Sequence, residues 1–178
     1  IVPGVQAEIP DSAFGVSEFE DFPVSPFGNR RCGSTTDMPF NLHQQVTTDI
    51  VMVQNGVDDL DSPLGCGADL PESDYEALYQ IANGGGVTWT GGSVPAFVND
   101  TSTPGGGSLG GVGFRNEAFP IVIHITDAAF HEPETDYWPA GITNAHTRDQ
   151  TVTALNALQI AVVGVASGSD ARPYLEDV

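Results

Sequence analysis

The sequence predicts an α/β fold, a doubly wound and mainly parallel sheet with helices on both faces, from three observations. Phe119-Pro120-Ile121-Val122-Ile123-His124-Ile125 is an unbroken apolar run bounded by proline, the pattern of a strand buried on both faces. Gln159-Ile160-Ala161-Val162-Val163-Gly164-Val165-Ala166 is a second such run, ended by Ser167-Gly168-Ser169. Between them, Val152, Leu155 and Leu158 fall on one face of a helix. Strand, helix and strand in that order call for parallel pairing.

Each element has its own local reason. Residues 1–10 read as the end of a helix running into a turn at Ile9-Pro10-Asp11, and Ala13–Phe19 as a strand. Pro23 and Pro26 restrict Glu20–Gly28 to an edge strand or extended loop. Residues 28–40 crowd Gly, Asn, Ser, Thr and Asp into a loop. Thr47-Thr48-Asp49 is a helix-start signal for a helix reaching about Val57, followed by an acidic, glycine-containing loop over 58–69. Pro71 suits a first helical position, with Glu72 and Asp74 near the positive end of the helix dipole. Tyr75, Leu78, Ile81 and Ala82 recur at helical spacing as core residues, and Asn83-Gly84-Gly85-Gly86 stops that helix. Residues 84–113 form a long Gly/Ser/Thr/Pro-rich surface insertion with a small hairpin near Val87-Thr88-Trp89-Thr90. Residues 128–146 are irregular, Thr147 and Gln150 bracket a capping box, and 170–178 begins a last helix. With no internal repeat, residues 1–178 are expected to form a single domain.

Composition narrows the partners. Five basic residues, all arginine, stand against 24 acidic ones, a formal charge of −19. Such a surface repels phosphate backbones and anionic headgroups, so neither nucleic acid nor a membrane surface is expected as a partner. No apolar run is long enough to span a bilayer. Hard divalent cations are attracted instead. Cys32 and Cys66 can form a disulfide in a secreted protein or remain ordinary thiols, and Asn99-Asp100-Thr101 matches a glycosylation sequon.

Acidic residues gather where elements meet loops. Asp127 follows the first apolar strand, where ligands of open α/β sheets sit. In Asp69-Leu70-Pro71-Glu72, two carboxylates bracket a proline carbonyl, and Asp21 follows the Ala13–Phe19 strand. Oxygen donors in that number suit one or two hard cations.

The segments Glu20-Asp21-Phe22-Pro23-Val24-Ser25-Pro26-Phe27, Asp69-Leu70-Pro71-Glu72 through Ala77-Leu78, and Ile125-Thr126-Asp127-Ala128-Ala129-Phe130-His131 resemble, in order, the integrin β-subunit I-like domain of the von Willebrand factor A superfamily. The chain looks like a prokaryotic secreted or surface member of that group. The resemblance implies a Rossmann-like doubly wound sheet with a metal-ion-dependent adhesion site at its carboxyl edge. Glu72 would be shared between the adhesion metal and a neighbouring calcium. Asp21, Asp69 and the Pro71 carbonyl would hold that calcium, and Asp127 would face the adhesion metal. Gly67 stands where the family carries an asparagine ligand, a loss for which Asp59 or Asp61 would compensate. Thr126 and His131 would orient the loop behind the ligands. The family's first strand, ending in D-x-S-x-S, has no counterpart here, so a further segment of the same protein or another chain is expected to complete the sheet.

Other chemistries find little in the chain. No G-x-S-x-G surrounds Ser17, Ser25 or Ser73, His131-Glu132 lacks the second histidine of H-E-x-x-H, and the glycine runs do not follow a strand as G-x-G-x-x-G. His124, in mid-strand, reads as a hydrogen-bonded core residue. The expected function is a non-enzymatic, extracellular or cell-surface binding module that uses Ca²⁺ or Mg²⁺ to bridge to a carboxylate on a protein ligand. The alternative is a calcium-stabilised structural component of a surface layer or appendage.

Overall fold

The computed structural model describes residues 2–28, 31–32, 35–61, 65 and 67–178, with backbone alone at 31–32, 35–36 and 61. Cys66 lies outside the described residues and Cys32 is described by backbone only, as is Asp61.

The architecture is mixed α/β, assembled from two-stranded pairs. Helix α1 (Val2–Glu8) leads to β1 (Phe14–Glu18), which pairs antiparallel with β4 (Asn41–Thr47). A short hairpin, β2 (Arg31–Cys32) and β3 (Thr35–Thr36), lies between them. Helix α2 (Ile50–Asp58) begins where the Asp49 carboxylate accepts the Val51 and Met52 N–H groups, and it covers β1 and β4. Gly56 makes that packing possible, because a Cβ there would lie 2.9 Å from the Gln44 side chain. Helix α3 (Asp74–Ala82) packs on α4 (Arg148–Ala157), and β5 (Val87–Trp89) with β6 (Gly92–Val94) forms the expected hairpin. β7 (Ile121–Thr126) and β8 (Ala161–Ala166) pair in parallel, register Ile121 to Ala161 through Thr126 to Ala166. Helix α4 connects them, opened by the Thr147/Gln150 capping box, and α5 (Arg172–Leu175) packs on β8.

Five sequence expectations need correction. The strands do not form one mainly parallel sheet: among the described residues they make four separate pairs, and only β7–β8 is parallel. β7 is not buried on both faces: Val122, His124 and Thr126 point inward, whereas Ile121, Ile123 and Ile125 are more than half exposed. On β8 the register-matched Val163 and Val165 are exposed too, so helices do not cover both faces of this pair. The inward face meets α5 at Gly164, and no described element covers the other. Pro71 does not open α3. The helix begins at Asp74 because Glu72 is drawn into a strand-like bridge with Phe130, and the Ser73 hydroxyl donates to the carbonyls of Glu20 (2.6 Å) and Pro39 (3.1 Å) instead of capping. Residues 41–47, read as no element, form a strand whose Val46 N–H donates to Val112. That bond, with Thr48 N–H to Pro104 and Gly111 N–H to Ile81, stitches the 84–113 segment onto the core, burying Val87, Val94 and Val112.

The core runs from Phe22, Phe27 and Tyr137 through Leu78 and Ile81 to Leu155 and Ile160. At one end, the Glu72-Ser73 segment ties two strands together. Ser73 N–H donates to Glu20 just past β1, and Glu72 N–H donates to Ala129 just past β7. The carboxyl ends of β1 and β7 therefore meet at the same place, while among the described residues each strand is paired on one edge only. Between them lies a cavity of about 690 Å³, lined by Gly15–Glu20 of one strand and Ile121–Asp127 of the other. Phe19 stacks on His124 at 4.8 Å, which fixes the two strands level with each other. Among the described residues no helix is long and apolar enough to cross a membrane.

The open apolar face and slot should bind a hydrophobic dye such as ANS in the native state. Replacing Ile121, Ile123 and Ile125 together by Thr should remove most of that fluorescence, and an unresponsive wild-type protein would show the face to be covered. Thr147→Ala should cost about 1 kcal/mol in denaturant unfolding through loss of the α4 cap.

Candidate metal centre

Asp21 sits directly after β1, and its carboxylate is held from one side. Oδ1 accepts the Phe22 N–H at 2.6 Å and the Tyr137 hydroxyl at 2.5 Å. Phe22 and Phe27 pack edge-on around Tyr137, each with centroids 4.8 Å away, so the wall behind Asp21 is aromatic. The other oxygen, Oδ2, is buried with no hydrogen bond. His131 Nε2 lies 3.1 Å from Asp21 Oδ2 and 3.4 Å from Asp69 Oδ2, outside hydrogen-bonding direction. Donor atoms of Asp21, Asp69 and His131 all fall within 4.8 Å of one another.

Glu72 stands beside this trio. Its Oε2 is also buried without a partner, as are Asp37 Oδ2 and Asp74 Oδ2. Burial first, and then the charges of Asp21, Asp74, Asp37 and Glu20, push the Glu72 carboxyl up to about 8. Glu76, in the first turn of α3, is fully buried and well supplied with partners. It accepts from Gln80 Nε2 (2.6 Å) and His146 N–H (2.8 Å) and contacts His146 Nδ1 (3.0 Å). Glu76 thus has the donors that Glu72 Oε2 lacks. The described arginine side chains are engaged elsewhere, Arg115 with Asp11, Arg148 with Asp177 and Arg172 with Glu176.

His131 is the group that partly compensates. Burial opposes its charge, but Asp21, Asp136 and Asp69 outweigh that and raise its pKa to about 9. Nδ1 lies 2.9 Å from Asp136 Oδ2, an oxygen that also accepts the Glu132 N–H, so the ring is oriented from behind.

Most residues singled out in the sequence come together. Asp69, Glu72, Thr126 and Asp127 line the same cavity, and Asp21 is close enough to raise the Glu72 pKa. Asp127 is exposed at the rim, with Gly168 against it: a Cβ there would sit 2.6 Å from the Asp127 carbonyl. Thr126 is buried, its hydroxyl accepting the Ala128 N–H at 3.3 Å. Pro71 lies half-buried between the two carboxylates. Asp59 is exposed at the end of α2 with no described bond to the cluster. Asn99 is away from the site, its Oδ1 accepting from Gln45 at 3.3 Å. His124 is a core residue as expected, 2.7 Å from Asp74 Oδ1.

Sequence reasoning missed Glu20, Asp37, Asp74 and Tyr137. Asp37 accepts the Gly67 N–H at 3.2 Å, and Glu20 accepts the N–H groups of Gly65 and Met38. Burial raises the pKa of both. The adjacency of Glu20 to Asp21, and of Asp74 to Glu72, was the available signal.

The donor set fits a divalent cation: several buried carboxylate oxygens without a hydrogen bond and with no described arginine side chain to neutralise them. Comparison with protein-family models gives no match, and comparison with curated proteins gives none either.

In chelator, stability should fall as pH rises. Folded Glu72 holds its proton up to about 8 whereas the unfolded group releases it near 4.5, so the folded state binds more protons across that window. The His131 contribution is complete below 6.5 and is lost as pH rises through about 9. Thermal melts in EDTA should show this decline, Ca²⁺ or Mn²⁺ should offset it increasingly toward pH 8, and Glu72→Gln should flatten it. A pH-independent melting temperature in EDTA would contradict the assignment.

Proposed function

We propose that the chain is an extracellular, divalent-cation-dependent protein-binding module of the von Willebrand factor A type, closest to the integrin β-subunit I-like domain. The observation that carries this reading is the set of orphaned carboxylate oxygens at the carboxyl ends of β1 and β7, beside an exposed Asp127. In this reading Asp21, Asp69, Glu72 and the Pro71 carbonyl hold Ca²⁺, and Glu72 and Asp127 face a second cation, Ca²⁺ or Mg²⁺, at the rim. A cation bound at the rim would accept a carboxylate oxygen of the partner protein as a further ligand. Asp127, exposed, keeps that end open to a partner, while the aromatic wall around Tyr137 backs the inner end.

The doubly wound sheet of that superfamily is part of the same proposal. Supporting it are the parallel β7–β8 pair, the helices joined to it, and the slot between β1 and β7, whose free edges would accept a central strand. That strand would come from a further segment of the same protein or another chain.

The full burial of Asp21 supports a second reading, a calcium-stabilised structural component in which no ligand position exchanges. Acetate, the simplest carboxylate, separates the two. Mn²⁺-loaded protein should broaden the acetate proton resonance beyond the effect of free Mn²⁺, and Asp127→Ala should weaken the broadening severalfold. A bound ion that leaves acetate unbroadened would mean a closed site and the structural role.

A further inference from the structure

We infer that His131 is itself a metal ligand, and that Asp21, Asp69 and His131 form a mixed nitrogen–oxygen site for a borderline divalent ion of the Mn²⁺, Co²⁺ or Zn²⁺ class. The inference takes from the functional reading only that Asp21 and Asp69 hold a cation; it changes the donor set and therefore the ion.

Three observations carry it. Nε2 of His131 and Oδ2 of Asp21 are both buried without a hydrogen bond and lie 3.1 Å apart, with side chains 4% and 2% exposed. Each of these two ligands is braced at its other atom. His131 Nδ1 meets Asp136 at 2.9 Å, and Asp21 Oδ1 takes the Phe22 N–H and Tyr137 hydroxyl. A carboxylate behind a histidine fixes the ring so that its far nitrogen faces the ion, an arrangement that metal-binding histidines almost always have. The separations are close to those of a metal shell. A four-coordinate ion with donors at about 2.0–2.2 Å has donor–donor edges of about 3.3–3.6 Å. The Nε2-to-oxygen distances are 3.1 Å, just below that range, and 3.4 Å, within it, and all three donor atoms fall within 4.8 Å of one another.

Donor chemistry then selects the ion. Ca²⁺ and Mg²⁺ take oxygen ligands, whereas an imidazole nitrogen favours first-row transition ions and zinc. Asp69 is the exposed member of the trio and provides the entrance, so the ion enters from the cavity shared with Glu72. A site holding one nitrogen thus sits at the inner end of an otherwise all-oxygen cluster, and the two ends discriminate between cations.

Electron spin-echo envelope modulation of the chelator-stripped protein reloaded with Mn²⁺ alone tests this directly. Wild type should show ¹⁴N modulation from a bound imidazole, and His131→Ala should lose it. Asp136→Asn should weaken Mn²⁺ binding about 10- to 100-fold by releasing the ring. Because the wild-type spectrum needs no variant, and Asp136→Asn leaves all three ligands in place, the test stands even if His131→Ala does not fold. Mn²⁺ bound with no nitrogen modulation, or modulation that survives in His131→Ala, overturns histidine ligation while leaving an oxygen-only cation site intact. No Mn²⁺ binding by wild type overturns this inference, and if Ca²⁺ also fails to bind, the functional reading falls with it.

Discussion

An uncompensated group of buried carboxylates is the constraint on which the rest of this structure depends. Moving a carboxylate out of water is costly unless donors or a counter-charge replace the lost hydration. The protein meets that requirement in most places. Glu76 has Gln80 and His146, Asp49 has the first turn of α2, and Asp136 has the Glu132 N–H and His131. At Asp21, Asp37, Glu72 and Asp74 it leaves one oxygen each without a described donor. A sequence with no lysine and five arginines has little with which to close that gap, and His131 is the cation the cluster has drawn in.

The fold exists in large part to hold this group together. Glu72 and Ser73 do it with backbone bonds, one to the chain leaving β1 and one to the chain leaving β7. Because of that tie the carboxyl ends of both strands, with Asp21 and Asp127, arrive at a common rim. The same tie explains the slot. Two level strands are fixed at one end, each lacks a described partner on its facing edge, and the side chains between them are apolar along the strands and acidic at the tied end. The exposed isoleucines of β7 lie along the same strand.

The sequence made much of this legible. The capping box at Thr147 and Gln150, the Asp49 helix start, the core positions Tyr75, Leu78, Ile81 and Ala82, and the parallel β7–β8 pair all follow from local patterns that tertiary contacts do not override. Pro71 and Glu72 misled because acids and proline are favoured at helix starts, yet here Glu72 pairs with Phe130 as a strand would. The open face of β7 was illegible for a different reason. A continuous apolar run reports the environment a strand is suited to, and here one face of that environment is not supplied by the described residues. Asp37 and Tyr137 were missed because their roles come from contacts across 30 and 116 positions of chain, which no local motif records.

The central claim is that this acidic group is built to hold at least one divalent ion, and native mass spectrometry after chelator dialysis and return of Ca²⁺ or Mn²⁺ measures that most directly. The account predicts a folded chain carrying one or more ions, with the number reduced when Asp21 and Glu72 are changed together to Asn and Gln. Identical masses for the folded chain with and without added cation would contradict it.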